Sequence, residues 1–171
     1  KGKKVLLSKA SVNSRLVSNI PADVEILDEK NLTLLPKAIK NPVEMENERR
    51  AHIRDGVAVT KFIYWLKTNV GKEKITELSA AEKLYSLRKE QKHFVGESFD
   101  PIIAYGTHAA IVHYSATEET DIPLEPKGMV LADTGGHYLE GTTDITRTIV
   151  LGPVTEKEKK YFTAVLRGNL N

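Results

Sequence analysis

Asp133-Thr-Gly-Gly-His-Tyr-Leu-Glu-Gly-Thr-Thr-Asp144-Ile-Thr-Arg-Thr148 is the stretch on which the reading of this chain turns. Its two aspartates stand eleven positions apart, with Gly135, Gly136 and Gly141 between them. Glycines there let the chain reverse between two strands. A simple hairpin centred near Tyr138 and Leu139 places Asp133 opposite Asp144, both side chains on one face. Like charges facing each other across a sheet repel, and burial sharpens the conflict. The spacing leaves three resolutions open: two hairpin aspartates in water, one proton shared between them, or a divalent cation held by both.

The flanking segments supply the strands. Met129 to Asp133 is one run, Thr142 to Leu151 a second rich in β-branched residues, and Ile111-Val112-His113-Tyr114 a third. His113 on that third run is either a site histidine or a core histidine satisfied by a carbonyl. His52, His93, His108 and His137 have no ligand-like spacing, and no H-E-x-x-H is present. Tyr114 and Tyr138 read as packing residues. Thr146 and Arg147 are candidate donors to the aspartates, and Arg147 equally a salt-bridge partner elsewhere. Gly135-Gly136 is too short for a phosphate loop.

Upstream, Asn41, Pro42 and Glu44 form a helix-start signal. The pattern behind it predicts a long helix to about Val70, with Val59, Ile63, Leu66 and Val70 on its apolar stripe. Ile53, Val57 and Tyr64 lie on another side, so cover on more than one side is expected. A second helix is expected from a capping box at Ser79 and Glu82 to about Gln91. A third is expected after Thr155 and Glu158, over Glu156 to about Arg167. Before all of these, Val5 to Leu7, Ser11 to Asn19 and Val24 to Leu27 read as a strand–helix–strand unit, and Asn31 to Ile39 as a connector with a turn of helix. The order of elements is α+β.

Composition excludes several classes. The net charge of the 171-residue chain is +2, with 28% charged residues of mixed sign, and the basic cluster Lys1 to Lys4 is terminal. No nucleic-acid partner is implied. There are no cysteines, hence no disulfide, thiolate nucleophile or zinc–thiolate site, which suits a cytoplasmic setting. No apolar run approaches the roughly 18 residues of a spanning helix, so no membrane segment is expected. The chain starts at Lys1 and stops soon after a helix begins, which reads as a piece of a longer protein.

The aspartate stretch resembles the first metal-binding hairpin of the pita-bread metallopeptidases, in particular the Xaa-Pro aminopeptidases. Ile111 to Tyr114 resembles that family's substrate-side histidine segment, and Lys40-Asn-Pro-Val-Glu-Met-Glu46 onward its entry helix. The resemblance covers about Lys37 to the end. It implies that residues 1–36 are the C-terminal part of a preceding α/β domain, and that residues 37–171 are the first half of a pita-bread domain. It implies metal ligation by Asp133 and Asp144, the second bridging two divalent ions, with manganese expected. His113 would contact the substrate and stabilise the transition state. The substrate would be a peptide with proline second, and a homodimer is compatible. Prolidase, a metal-free creatinase-type hydrolase and a non-catalytic partner-binding domain are the alternatives. The family's remaining ligands, a histidine and two glutamates, belong to the second half of the fold, so this chain alone is expected to be inactive.

Overall fold

The computed structural model describes residues 2–170, which form two compact units dividing at Val43/Glu44. In the first, β1 (Lys4–Leu7) and β2 (Glu25–Asp28) pair in parallel, joined through the short helix α1 (Ser14–Ser18). Asn13 caps α1 by accepting from the Arg15 amide at 2.9 Å. This is the expected strand–helix–strand unit. One turn of helix, α2 (Leu34–Ala38), follows.

The second unit is built on α3 (Pro42–Asn69), α4 (Glu77–Lys89), five short strands and α5 (Glu156–Leu170). Asn41 Oδ1 accepts from the Val43 amide at 2.9 Å, so α3 starts where its signal predicts. The helix runs unbroken for 28 residues and buries Ala51, Asp55, Ala58, Val59, Phe62 and Leu66. Ile63 packs partly against that core. The other apolar side is not covered as expected: Ile53 and Tyr64 are 68% and 74% exposed. The helix α4 begins earlier than its Ser79–Glu82 signal suggests. Thr76 is the cap, and Ser79 is its reciprocal partner, accepting from the Thr76 amide at 2.8 Å. The box at Thr155 and Glu158 forms as expected, the Thr155 amide donating to Glu158 at 2.6 Å.

Three strands make the main sheet, in the order β4 (Ile102–Tyr105), β5 (Met129–Thr134), β7 (Ile145–Val150), all antiparallel. A second pair joins β3 (Phe94–Glu97) to β6 (Gly136–Tyr138). One apolar cluster unites α3 and α4 with one face of the main sheet: Phe62 and Leu66, Leu84 and Leu87, Ile103, Val130, Ala132 and Ile149. That leaves the other face of the sheet for chemistry.

The segment Ile111–Tyr114, expected as a strand, is a turn. It follows a short 3-10 helix (Gly106–Ala110), and His113 takes a left-handed φ of 56°. The strand beside β5 is β4. Its Ile111 and Val112 are exposed at 54% and 83%.

Candidate metal centre

The aspartate hairpin forms, in a register two residues from the expected one. Asp133 lies opposite Thr146, not Asp144. The reversal is tight: Tyr138 and Gly141 exchange backbone hydrogen bonds of 2.8 and 3.2 Å around Leu139 and Glu140. Centring the turn one residue later shifts every partner by two, and a shift of two preserves the face. Ala132 and Thr134 on either side of Asp133 are buried against the helices. Thr143 is buried likewise, and Ile145 packs on the core. By strand alternation Asp133 and Asp144 point the other way, to the open face. There Asp133 is half-buried and Asp144 exposed. The Thr146 hydroxyl donates to Asp133 Oδ1 at 2.7 Å, as its sequence position suggests. Arg147 instead turns to the Thr146 carbonyl.

Gly135 is the residue without which the two strands could not approach. A Cβ there would sit 2.1 Å from the Thr143 carbonyl oxygen and 2.2 Å from Ser98 Oγ. Ser98 Oγ donates to that carbonyl at 2.9 Å. Thr143 Oγ1 in turn accepts from the Gly136 amide at 2.9 Å. The turn itself is clamped: Glu140 is bound by Arg54 and His93, and the Leu139 amide donates to the His93 carbonyl at 3.1 Å. Arg54, then His93, hold the Glu140 carboxyl at about 2 against an ordinary 4.5.

His113 stands on the turn after the 3-10 helix, exposed to solvent. Its neighbour Tyr114 anchors that turn. The Tyr114 hydroxyl donates to the fully buried Glu77 carboxylate at 2.9 Å, and the His108 ring stacks on Tyr114 with centroids 4.4 Å apart. Glu77 also accepts from the Tyr105 amide at 2.7 Å and meets His108 Nδ1 at 3.0 Å. Burial pushes the Tyr114 phenol above its ordinary value. For Tyr138, burial and then the charge of Asp55 push it well above its own. Both remain donors, in keeping with packing rather than acid catalysis.

Sequence reasoning did not find Glu77, Asp55 or Arg88 as partners. Each is a charged residue on a helix whose periodicity marks it only as facing inward. The structure brings Asp133 and Asp144 to one face and keeps His113 on a separate segment. Among the described residues, no group of three or more histidine, aspartate or glutamate side chains could hold a metal ion. The two carboxylates fit part of a divalent oxygen-ligand set: Asp133 keeps an oxygen outside its Thr146 bond, and both share a face.

The profile described as Metallopeptidase family M24 matches residues 46–171. A probable Xaa-Pro aminopeptidase P of Arthroderma gypseum is 41% identical over 172 residues, covering 99% of this chain and 27% of that protein. One from Paracoccidioides brasiliensis is 47% identical over 134 residues, covering 77% of the chain and 22% of the relative. The chain thus spans about a quarter of the length of the curated relatives it matches. Among solved structures, X-prolyl aminopeptidase of Caenorhabditis elegans, described as a cytosolic enzyme with a di-nuclear active site, superposes with a TM-score of 0.74. It is 35% identical, over 78% of this chain and 22% of that one. An Xaa-Pro dipeptidase of Bacillus anthracis shares the fold, with a TM-score of 0.79 at 23% identity over 98% of this chain and 45% of that one.

Proposed function

The chain belongs to metallopeptidase family M24, and from that premise we propose that the whole protein is an Xaa-Pro aminopeptidase. It would hydrolyse the bond between the first residue of a peptide and a proline in second position. The fold is the α+β pita-bread one, and residues 37–171 read as its first half. Residues 1–36 read as the tail of the domain before it. The observation that carries the proposal is the pair Asp133 and Asp144 on the open face of one hairpin, the first steadied by Thr146.

Asp133 and Asp144 would be among the residues that hold a pair of divalent ions, manganese by preference. Such a pair, when bound, lowers the pKa of a water and stabilises charge on the scissile carbonyl oxygen. The remaining work falls to the protein's own residues. Thr146 fixes the rotamer of Asp133. His113, presented by a turn tied down through Tyr114 and Glu77, would hydrogen-bond substrate beside the scissile bond. Location in the cytosol, as described for the nematode enzyme, suits a chain without cysteine.

The test is release of the first residue from an Xaa-Pro-Xaa tripeptide by the full-length protein with manganese, beside metal stoichiometry. The 171-residue chain alone should release none. Asp144→Ala should abolish turnover and loosen metal. His113→Ala should lower turnover with metal content nearly unchanged. Full activity in Asp144→Ala rejects the reading, and cleavage confined to Xaa-Pro dipeptides replaces it with prolidase.

A further inference from the structure

Two buried charges lie behind the aspartate hairpin. Asp55 of α3 and Arg88 of α4 are both fully buried and pair at two points, Nε to Oδ1 at 2.7 Å and Nη2 to Oδ2 at 3.1 Å. The pair does not close on itself. Arg88 Nη2 also donates to Thr134 Oγ1 at 3.0 Å, and Thr143 Oγ1 donates to Asp55 Oδ2 at 2.7 Å. Thr134 directly follows Asp133, and Thr143 directly precedes Asp144. A single ion pair therefore grips the inward-facing neighbour of each outward-facing aspartate. In extended backbone, fixing one side chain sets the direction of the next, on the opposite face.

Stability is a poor account of this arrangement. A buried ion pair often does no better than apolar side chains of the same volume. What it adds over leucines is direction and register. A slip of one strand of the hairpin by one residue would turn that strand's aspartate toward the helices, away from its partner, and take its threonine off the ion pair.

We infer that the Asp55–Arg88 pair is a positioning device for the two proposed metal ligands, setting the spacing of the Asp133 and Asp144 carboxylates before an ion arrives. The inference rests on the metal-binding reading of those aspartates. It makes Asp55, Arg88, Thr134 and Thr143 determinants of metal affinity although none faces the ion. Support of this kind typically governs affinity about 10–100-fold.

The experiment titrates manganese(II) alone into metal-stripped full-length protein by calorimetry, with thermal unfolding measured in parallel. Thr143→Val and Thr134→Val should each bind manganese about tenfold or more weakly. Thr143→Ser, which keeps the hydroxyl, should bind as the unsubstituted protein does. Phe62→Leu, a purely apolar core change, should lower the unfolding temperature without moving Kd. Unchanged Kd in both valine variants overturns the inference and leaves the aspartate reading standing. If Thr143→Val does not fold, Thr134→Val decides by the same criterion. Unsubstituted protein that takes up no manganese overturns the aspartate reading and the inference with it.

Discussion

Thr146 donates its hydroxyl to Asp133 at 2.7 Å from the position directly across the β5–β7 ladder. The bond is exposed, so its net contribution to folding is small, about 1 kcal/mol or less. Its consequence lies in the rotamer of Asp133. Thr146→Val keeps the β-branched shape and removes the donor. The metal-free variant should unfold within about 1 kcal/mol of the parent, while manganese affinity should fall about tenfold. Calorimetric titration beside chemical unfolding measures both. A stability loss with unchanged affinity would make Thr146 a packing residue only.

Gly135 supplies a sharper test of the hairpin. Its added Cβ would meet the Thr143 carbonyl at 2.1 Å, and backbone there cannot yield as a long side chain can. Gly135→Ala should therefore separate the strands next to both aspartates, costing about 1–3 kcal/mol as an overpacked site. Gly56→Ala is the control: nothing lies within 4 Å of its Cβ, and alanine suits a helix interior. It should be neutral or stabilising by up to about 1 kcal/mol. Equal unfolding midpoints for the two variants would contradict the described approach.

The face shared by the two aspartates was legible in the sequence, while their partners were not. Parity in a strand survives an error of one in the position of the turn, so Asp133 and Asp144 stay together even though Asp133 pairs with Thr146. The caps at Asn41 and Thr155 were legible because capping is local chemistry. The one at Thr76 was displaced because Ser79 suits either role in the box. The segment Ile111–Tyr114 is a turn rather than a strand, and its anchor is non-local: Tyr114 is tied to Glu77, 37 residues earlier, which spacing does not reveal. The buried Asp55–Arg88 pair spans 33 residues, a distance across which spacing rules carry no signal.

The helix α3 separates local from tertiary stability. Asn41→Ala removes the acceptor of the Val43 amide and should cost about 1 kcal/mol. Leu66 is fully buried in the cluster between helices and sheet, so Leu66→Ala should cost about 2–5 kcal/mol. Denaturant unfolding of the two variants checks the order. A cap variant as damaging as the core variant would mean that α3 is held by its first turn rather than by its packed face.

The clamp on the hairpin turn should give stability a specific dependence on acid. Glu140 sits between Arg54 and His93 with its carboxyl held at about 2, whereas an unperturbed glutamate titrates near 4.5. The folded value is the lower one, so the folded state favours the ionised form. The contribution is fully present above about pH 4.5 and is lost as pH falls toward about 2. Glu140→Gln keeps the shape of the side chain and removes the titration. Thermal unfolding of parent and variant should differ by a constant amount near neutrality, and the gap should narrow progressively once pH drops below about 4.5. Salt should shrink the neutral gap only partly, because the carboxylate is mostly shielded from solvent, its side chain 13% exposed. A gap that stays constant from neutrality down through that window would mean that Arg54 and His93 do not hold Glu140 as an anion, and the clamp would then be attributed to the Leu139–His93 backbone bond alone.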